Sequence, residues 1–262
     1  MRIASLGQVA FAAVMIALGV QGLVTGHLTA VWQPIPKTVP AQQALAYLCA
    51  VVSLVCGAGL LLKRTATLAA RSLLAYLLLW SLAFRVPPLV QAPLTILPYY
   101  SSAETAVMVA GAWVLYAWFA SDWDRQHLAF ATGDSGVRIA SVLYALSMIP
   151  FGLGHFIFIE RTASMVPGWM PAHVAVGYIT GSCFIAAGAG ILFGVFARFA
   201  AALSALMIGL FTVLVWIPIL APGTKNPYDW IEFATSCAIT AGGWVVADSY
   251  RARRGSQPGA GA

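Results

Sequence analysis

Residues 154 to 173, "GHFIFIERTASMVPGWMPAH", bring two histidines, a glutamate and an arginine into one short stretch of a chain in which only 8% of residues are charged. A neutral imidazole donates through one ring nitrogen and accepts through the other, so His155 or His173 could hold a carbonyl head group or pass a proton near neutral pH. Helical spacing sorts the surrounding residues into stripes: Tyr144, Ser147, Phe151 and His155; His173, Gly177 and Thr180; Tyr228, Glu232 and Ser236. With Arg85 at the same level, the candidate ligand-binding set is His155, His173, Glu232, Tyr144, Tyr228 and Arg85, lining a cavity open to the outer side in the second half of the chain. Three readings of His155 stay open: a hydrogen-bonded structural residue, a ligand- or proton-handling group, and a metal or haem ligand. His173 also reads as interfacial, Glu160 and Arg161 as solvated at a helix end, and Glu232 and Glu104 as favouring the positive ends of helix dipoles. The chain has no HExxH, no paired histidines and no CxxC, so no metal site is expected and no catalytic residue is assigned. Cys49, Cys56, Cys183 and Cys237 fall within apolar runs and read as packing residues, which disfavours thiol–disulfide chemistry.

These groups need elements to hold them. Hydrophobic residues make up 61% of the 262 residues and mean hydropathy is +0.86, values outside the usual soluble range. Eight nearly uncharged runs lie at roughly 5 to 26, 43 to 62, 66 to 86, 102 to 120, 138 to 159, 173 to 193, 198 to 218 and 228 to 248. As helices each covers a ~30 Å hydrocarbon layer, and each is about twice the ~10 residues a barrel strand needs. An all-α integral membrane fold with eight transmembrane helices is therefore expected, its principal partner the lipid bilayer. The net charge of +6 is a topology signal, not a nucleic-acid footprint: Arg2, Lys63, Arg64, Arg71, Arg125, Arg138, Arg198, Arg251, Arg253 and Arg254 fall on one side, against Lys37, Arg85, Arg161 and Lys225 on the other. Ten against four in short loops places both termini in the cytoplasm.

The chain also repeats itself. "RIAS" at Arg2 returns at Arg138, "CGAGLLL" at Cys56 is answered by "AGAGILF" at Ala187, "RVPP" at Arg85 by "WIPI" at Trp216, and "GAWVL" at Gly111 by "GGWVV" at Gly242. In-order offsets of this kind imply two units of four helices, and an even number of spans per unit makes the two repeats parallel. The expected division is 1–120 for the first unit, 121–137 for a cytoplasmic linker, 138–250 for the second unit and 251–262 for a disordered basic cytoplasmic tail. Because the second "RIAS" opens a helix in mid-chain, the first is expected to open a retained helix, not a cleaved signal peptide. Most of the prolines fall in or beside the outer loops, which should be ordered and non-helical.

The run "FGLGHF…VPGWMP…GYITGSCFIAAGAGILFGVFARFAAALSALMIGLFTVLVWIP…NPYDWIEF" resembles the DoxX-like family of small membrane proteins, best over 138–248 and more weakly in the first half. The resemblance implies a tandem of the family's four-helix unit and a membrane subunit associated with redox or sulfur metabolism; it carries over no catalytic residue. Two functional readings follow. One is a membrane subunit that binds a quinone, lipid or other amphiphile and serves a redox partner. The other is a non-catalytic scaffold whose ordered outer loops hold a cargo protein, with a small-molecule transporter as a third.

Overall fold

Eight helices long and apolar enough to cross a bilayer run through residues 5–255, the part of the chain described by a computed structural model. In chain order the spans are Leu6–Thr25, Gln42–Leu61, Ala66–Gln91, Ile96–Phe119, Gly133–Ile157, His173–Leu192, Ala197–Leu220 and Tyr228–Arg251. The fold is all-α, with no strand among the described residues. Arg2, the side chains of Arg253 and Arg254, and the last seven residues of the expected tail lie outside the description.

Three boundaries differ from the sequence reading. The third span continues past the expected stop at 86, because Ser81–Arg85 widen into a π-helical turn and Pro87 opens the next turn. Proline is tolerated there, since the first N–H groups of a helical turn need no partner within it. The seventh span repeats the device, with a π-turn over Thr212–Trp216 ahead of Pro218. The fourth span starts at Ile96, six residues early, taking the polar "YYSS" into its first turns. The fifth starts at Gly133, where Thr132 in extended conformation enters the helix ahead of the polar Asp134 and Ser135.

Each span packs against the next, the eighth closes on the first, and the fourth and eighth also cross each other. At that crossing the backbones nearly touch: a Cβ on Gly111 would lie 2.9 Å from Gly242 Cα, and one on Gly242 would lie 2.8 Å from Val107 O. Only glycine permits this approach, which in a membrane supplies the van der Waals contact that apolar side chains cannot obtain over lipid.

Long-range hydrogen bonds define the two ends of the bundle. Gly7 N donates to Asp248 Oδ2 at 2.9 Å, Gln8 Nε2 to Leu60 O at 2.7 Å and Thr67 Oγ1 to Phe119 O at 2.6 Å. The starts of spans one and three thus meet the finishes of two, four and eight at one terminal end. Tight turns at Leu62–Thr65 and Phe193–Phe196 and the 121–132 linker share that end, and the longer loops occupy the far end.

The linker is structured. Ser121 caps a short helix, Asp122–His127, through a reciprocal box with Asp124. The fully buried Asp124 carboxylate accepts from Arg71 Nη2 at 2.7 Å, Tyr116 OH at 3.0 Å, Ser121 N at 2.9 Å and Ser121 Oγ at 2.6 Å. Burial pushes this carboxyl up, but the four donors together outweigh it and hold the group down at about 2.

Candidate functional site

The far end holds a cluster of ionisable side chains in the first turns of two spans. Tyr100 and Glu104 lie one turn apart near the start of the fourth span; Tyr228 and Glu232 do the same on the eighth. Spacing of i and i+4 puts both members of each pair on one helix face. Packing of the fourth span on the eighth then brings the faces together: Glu104 and Glu232 lie in each other's field, Tyr100 in the field of both carboxyls and of Tyr228, and Tyr228 in the field of both carboxyls. The guanidinium of Arg161, on the short helix Ile159–Met165, lies 4.9 Å from the centre of the Tyr228 ring and completes the cluster. Tyr100 fits because residue 154 is glycine: a Cβ there would sit 2.7 Å from the Tyr100 ring, which also meets Phe151 edge-on at 5.2 Å.

Of the six residues singled out by sequence, two enter this cluster, Tyr228 and Glu232. Arg85 lies at its flank within the field of Glu104, and its donors tie the fourth span to the first far-end loop. Nε donates to Thr105 Oγ1 at 2.8 Å, Nη2 to Gln33 O at 2.6 Å and Val31 O at 3.2 Å, and Nη1 to Pro34 O at 3.4 Å. His155 is half-buried in apolar company: Nδ1–H donates to Phe151 O at 2.8 Å, and the ring stacks obliquely near Phe184 and Phe211, at 5.3 and 6.1 Å. His173 opens the sixth span, half-buried and without a hydrogen bond among the described residues. Tyr144 is fully buried about 16 Å further along its helix from His155 by the helical rise; its hydroxyl pairs with Ser204 Oγ at 2.9 Å beneath Gly243.

Tyr100 is the member the sequence reading passed over, and Glu104 entered it only as a counterpart of Glu232. The signal that finds both is a repeated Tyr-x-x-x-Glu, "YSSAE" at 100–104 and "YDWIE" at 228–232, each in the first turns of the last span of its half. Two carboxyls and two phenols can accept and donate to the same head group when one carboxyl carries a proton. Among the described residues no three His, Cys, Asp or Glu side chains gather in the manner of a metal site, and the four cysteines are unpaired as disulfides.

His155 supplies a first test of this placement. Since its partners are a backbone carbonyl and two phenyl rings, His155→Phe is expected to change stability by less than about 1.5 kcal/mol and to leave any amphiphile bound at the tyrosine–glutamate cluster in place. Thermal melting and lipid mass spectrometry of the variant measure both.

Compared with known proteins, the chain matches no family model, no curated protein and no solved structure. The reading of its function therefore rests on its own residues.

Proposed function

We propose that the chain is a DoxX-like integral membrane protein built as two parallel four-helix repeats. It holds the polar head of an amphiphile of the quinone class between the two Tyr-x-x-x-Glu turns at its outer end and serves a redox partner. Several matched details support the repeat. The π-turns at Ser81–Arg85 and Thr212–Trp216, the left-handed residues Ala41 and Ala172 before the second and sixth spans, and the Gly111–Gly242 contact all pair residues 131 positions apart (212 − 81, 172 − 41, 242 − 111). The close approach of Gly57 to Ala12 O is likewise matched by that of Gly188 to Ala145 O. Placement of Lys63, Arg64, Arg71, Arg125, Arg138 and Arg198 at the terminal end supports a cytoplasmic location for both termini.

One observation carries the functional reading: two glutamates and two tyrosines from different halves of the sequence lie within electrostatic reach of one another in the first turns of the fourth and eighth spans. Ionisable side chains are costly there, so a bundle that needed only to pack has no use for a facing pair of carboxyls. The site shifts from the cavity inside the second unit, expected from sequence, to the seam between the halves. A quinone suits it, because each carbonyl needs a donor and the apolar tail needs the lipid that borders the bundle.

Purification without delipidation, followed by solvent extraction and mass spectrometry, tests this. The wild type should retain an amphiphile that the Glu104→Gln/Glu232→Gln and Tyr100→Phe/Tyr228→Phe variants lose by about tenfold or more, as expected when a buried hydrogen bond to a charged or phenolic group is removed. Undiminished retention in both folded variants would exclude the cluster as the binding site.

A second reading, the scaffold for a cargo protein, is favoured by the order of the first far-end loop. Arg85 ties down Val31, Gln33 and Pro34, and Trp32 between them is buried against Tyr76 and Trp80 at 5.3 and 5.1 Å. A protein partner retained in mild detergent, and lost on substitution of exposed loop residues such as Lys37, would support that role over the first.

A further inference from the structure

At the terminal end, a cavity of about 220 Å³ opens where the second span finishes, the third begins and the fourth runs into the linker. Lys63 and Arg125 stand on its rim, and Leu60, Leu62, Trp118 and Phe119 form its apolar walls. Lys63 has no hydrogen bond or ion pair among the described residues; Arg125 has only a loose contact with the exposed Asp122, at 3.9 Å. The buried acid Asp124, next to Arg125 in sequence, is already engaged by Arg71 Nη2 and is not among the residues that line the cavity. Ala66 and Thr67 add the first turn of the third span, whose N–H groups carry the positive end of a helix dipole. Cations above, acyl-compatible walls below and a position at the junction of three span ends define a site at the boundary between hydrocarbon and head groups.

We propose that this cavity binds the phosphate-bearing head of an anionic phospholipid from the leaflet at the terminal end, with its acyl chains running along Leu62 and Trp118. The site is independent of the tyrosine–glutamate cluster, which lies at the opposite end of the same bundle. A zwitterionic lipid gains less from it, because its own ammonium would stand beside Lys63 and Arg125. A basic pocket between helix ends recognises head groups through such unpaired cations, each worth roughly a factor of five near a membrane surface.

Native mass spectrometry of the full chain released from nanodiscs of equimolar phosphatidylcholine and phosphatidylglycerol reads this directly. Phosphatidylglycerol should remain selectively on the wild type and fall by about 10- to 30-fold in Lys63→Gln/Arg125→Gln. Both side chains are exposed, so the variant should melt as the wild type does in neutral detergent. Arg138→Gln/Arg198→Gln removes the same charge from the same end and should leave retention unchanged. Equal losses in the two variants would reduce the effect to general surface charge, and no loss in either would overturn the site. Displacement of the lipid by inorganic phosphate alone would also contradict the proposal, by making the cavity a site for a free anion.

Discussion

Gly111→Ile is expected to prevent assembly of the eight-helix bundle rather than merely to loosen it. A Cβ at this position would lie 2.9 Å from the Cα and 3.2 Å from the carbonyl oxygen of Gly242, so the obstacle is backbone and cannot rotate away. Overpacking in a well-packed interior typically costs about 1 to 3 kcal/mol. Here the eighth span would have to move off the fourth, and with it the contacts to the first, fifth and seventh, so the cost should exceed the upper figure. Size-exclusion profile and melting temperature in mild detergent measure it. Gly168→Ala is the matched control, since nothing lies within 4 Å of a Cβ there and its melting temperature should not move.

The second large effect is expected from Asp124→Ala. Arg71 is 41% exposed and can turn to water, so the loss of the ion pair itself is modest. The cost comes from what stays behind: the Tyr116 hydroxyl, on a side chain only 3% exposed, and a capping box stripped of its acidic member. A buried donor without a partner costs about 1 to 3 kcal/mol and a lost cap about 1 kcal/mol. The same network sets an acid limit. Because the folded carboxyl titrates at about 2, below its ordinary 3.8, its contribution is complete above the ordinary value and disappears as pH falls through the folded one. The melting temperature of the wild type should therefore drop between about pH 4 and pH 2 more steeply than that of Asp124→Ala, which lacks the group.

The eight spans were legible because bilayer length and hydropathy are written residue by residue, whereas their ends were not where polar residues enter a helix. "YYSS" reads as loop and is helix; Pro87 reads as a stop and is absorbed by a π-turn. The site was legible in depth but not in the membrane plane. His155, His173, Arg85 and Glu232 were all read at one outer level, yet His155 turns toward Phe184 and Phe211 while Arg85 turns toward Val31 and Gln33. Which helix face looks at which depends on the crossing of the fourth and eighth spans, a contact between residues more than a hundred positions apart in sequence. Hydropathy carries no trace of such a contact. The Tyr-x-x-x-Glu pattern at 100–104 and 228–232 marks the two faces that meet, although its offset of 128 residues (228 − 100) is not the 131 of the glycine contact (242 − 111).

The proposed binding of an amphiphile head between Tyr100, Glu104, Tyr228 and Glu232 is tested most directly by a density map of protein purified with its native lipids. A head group should lie between the fourth and eighth spans, within hydrogen-bond distance of at least one of the two carboxyls and one of the two phenols, with its tail leaving toward lipid. A map in which the two tyrosines close directly onto the two glutamates, leaving no density between them while amphiphiles occupy only the outer surface of the bundle, would contradict it.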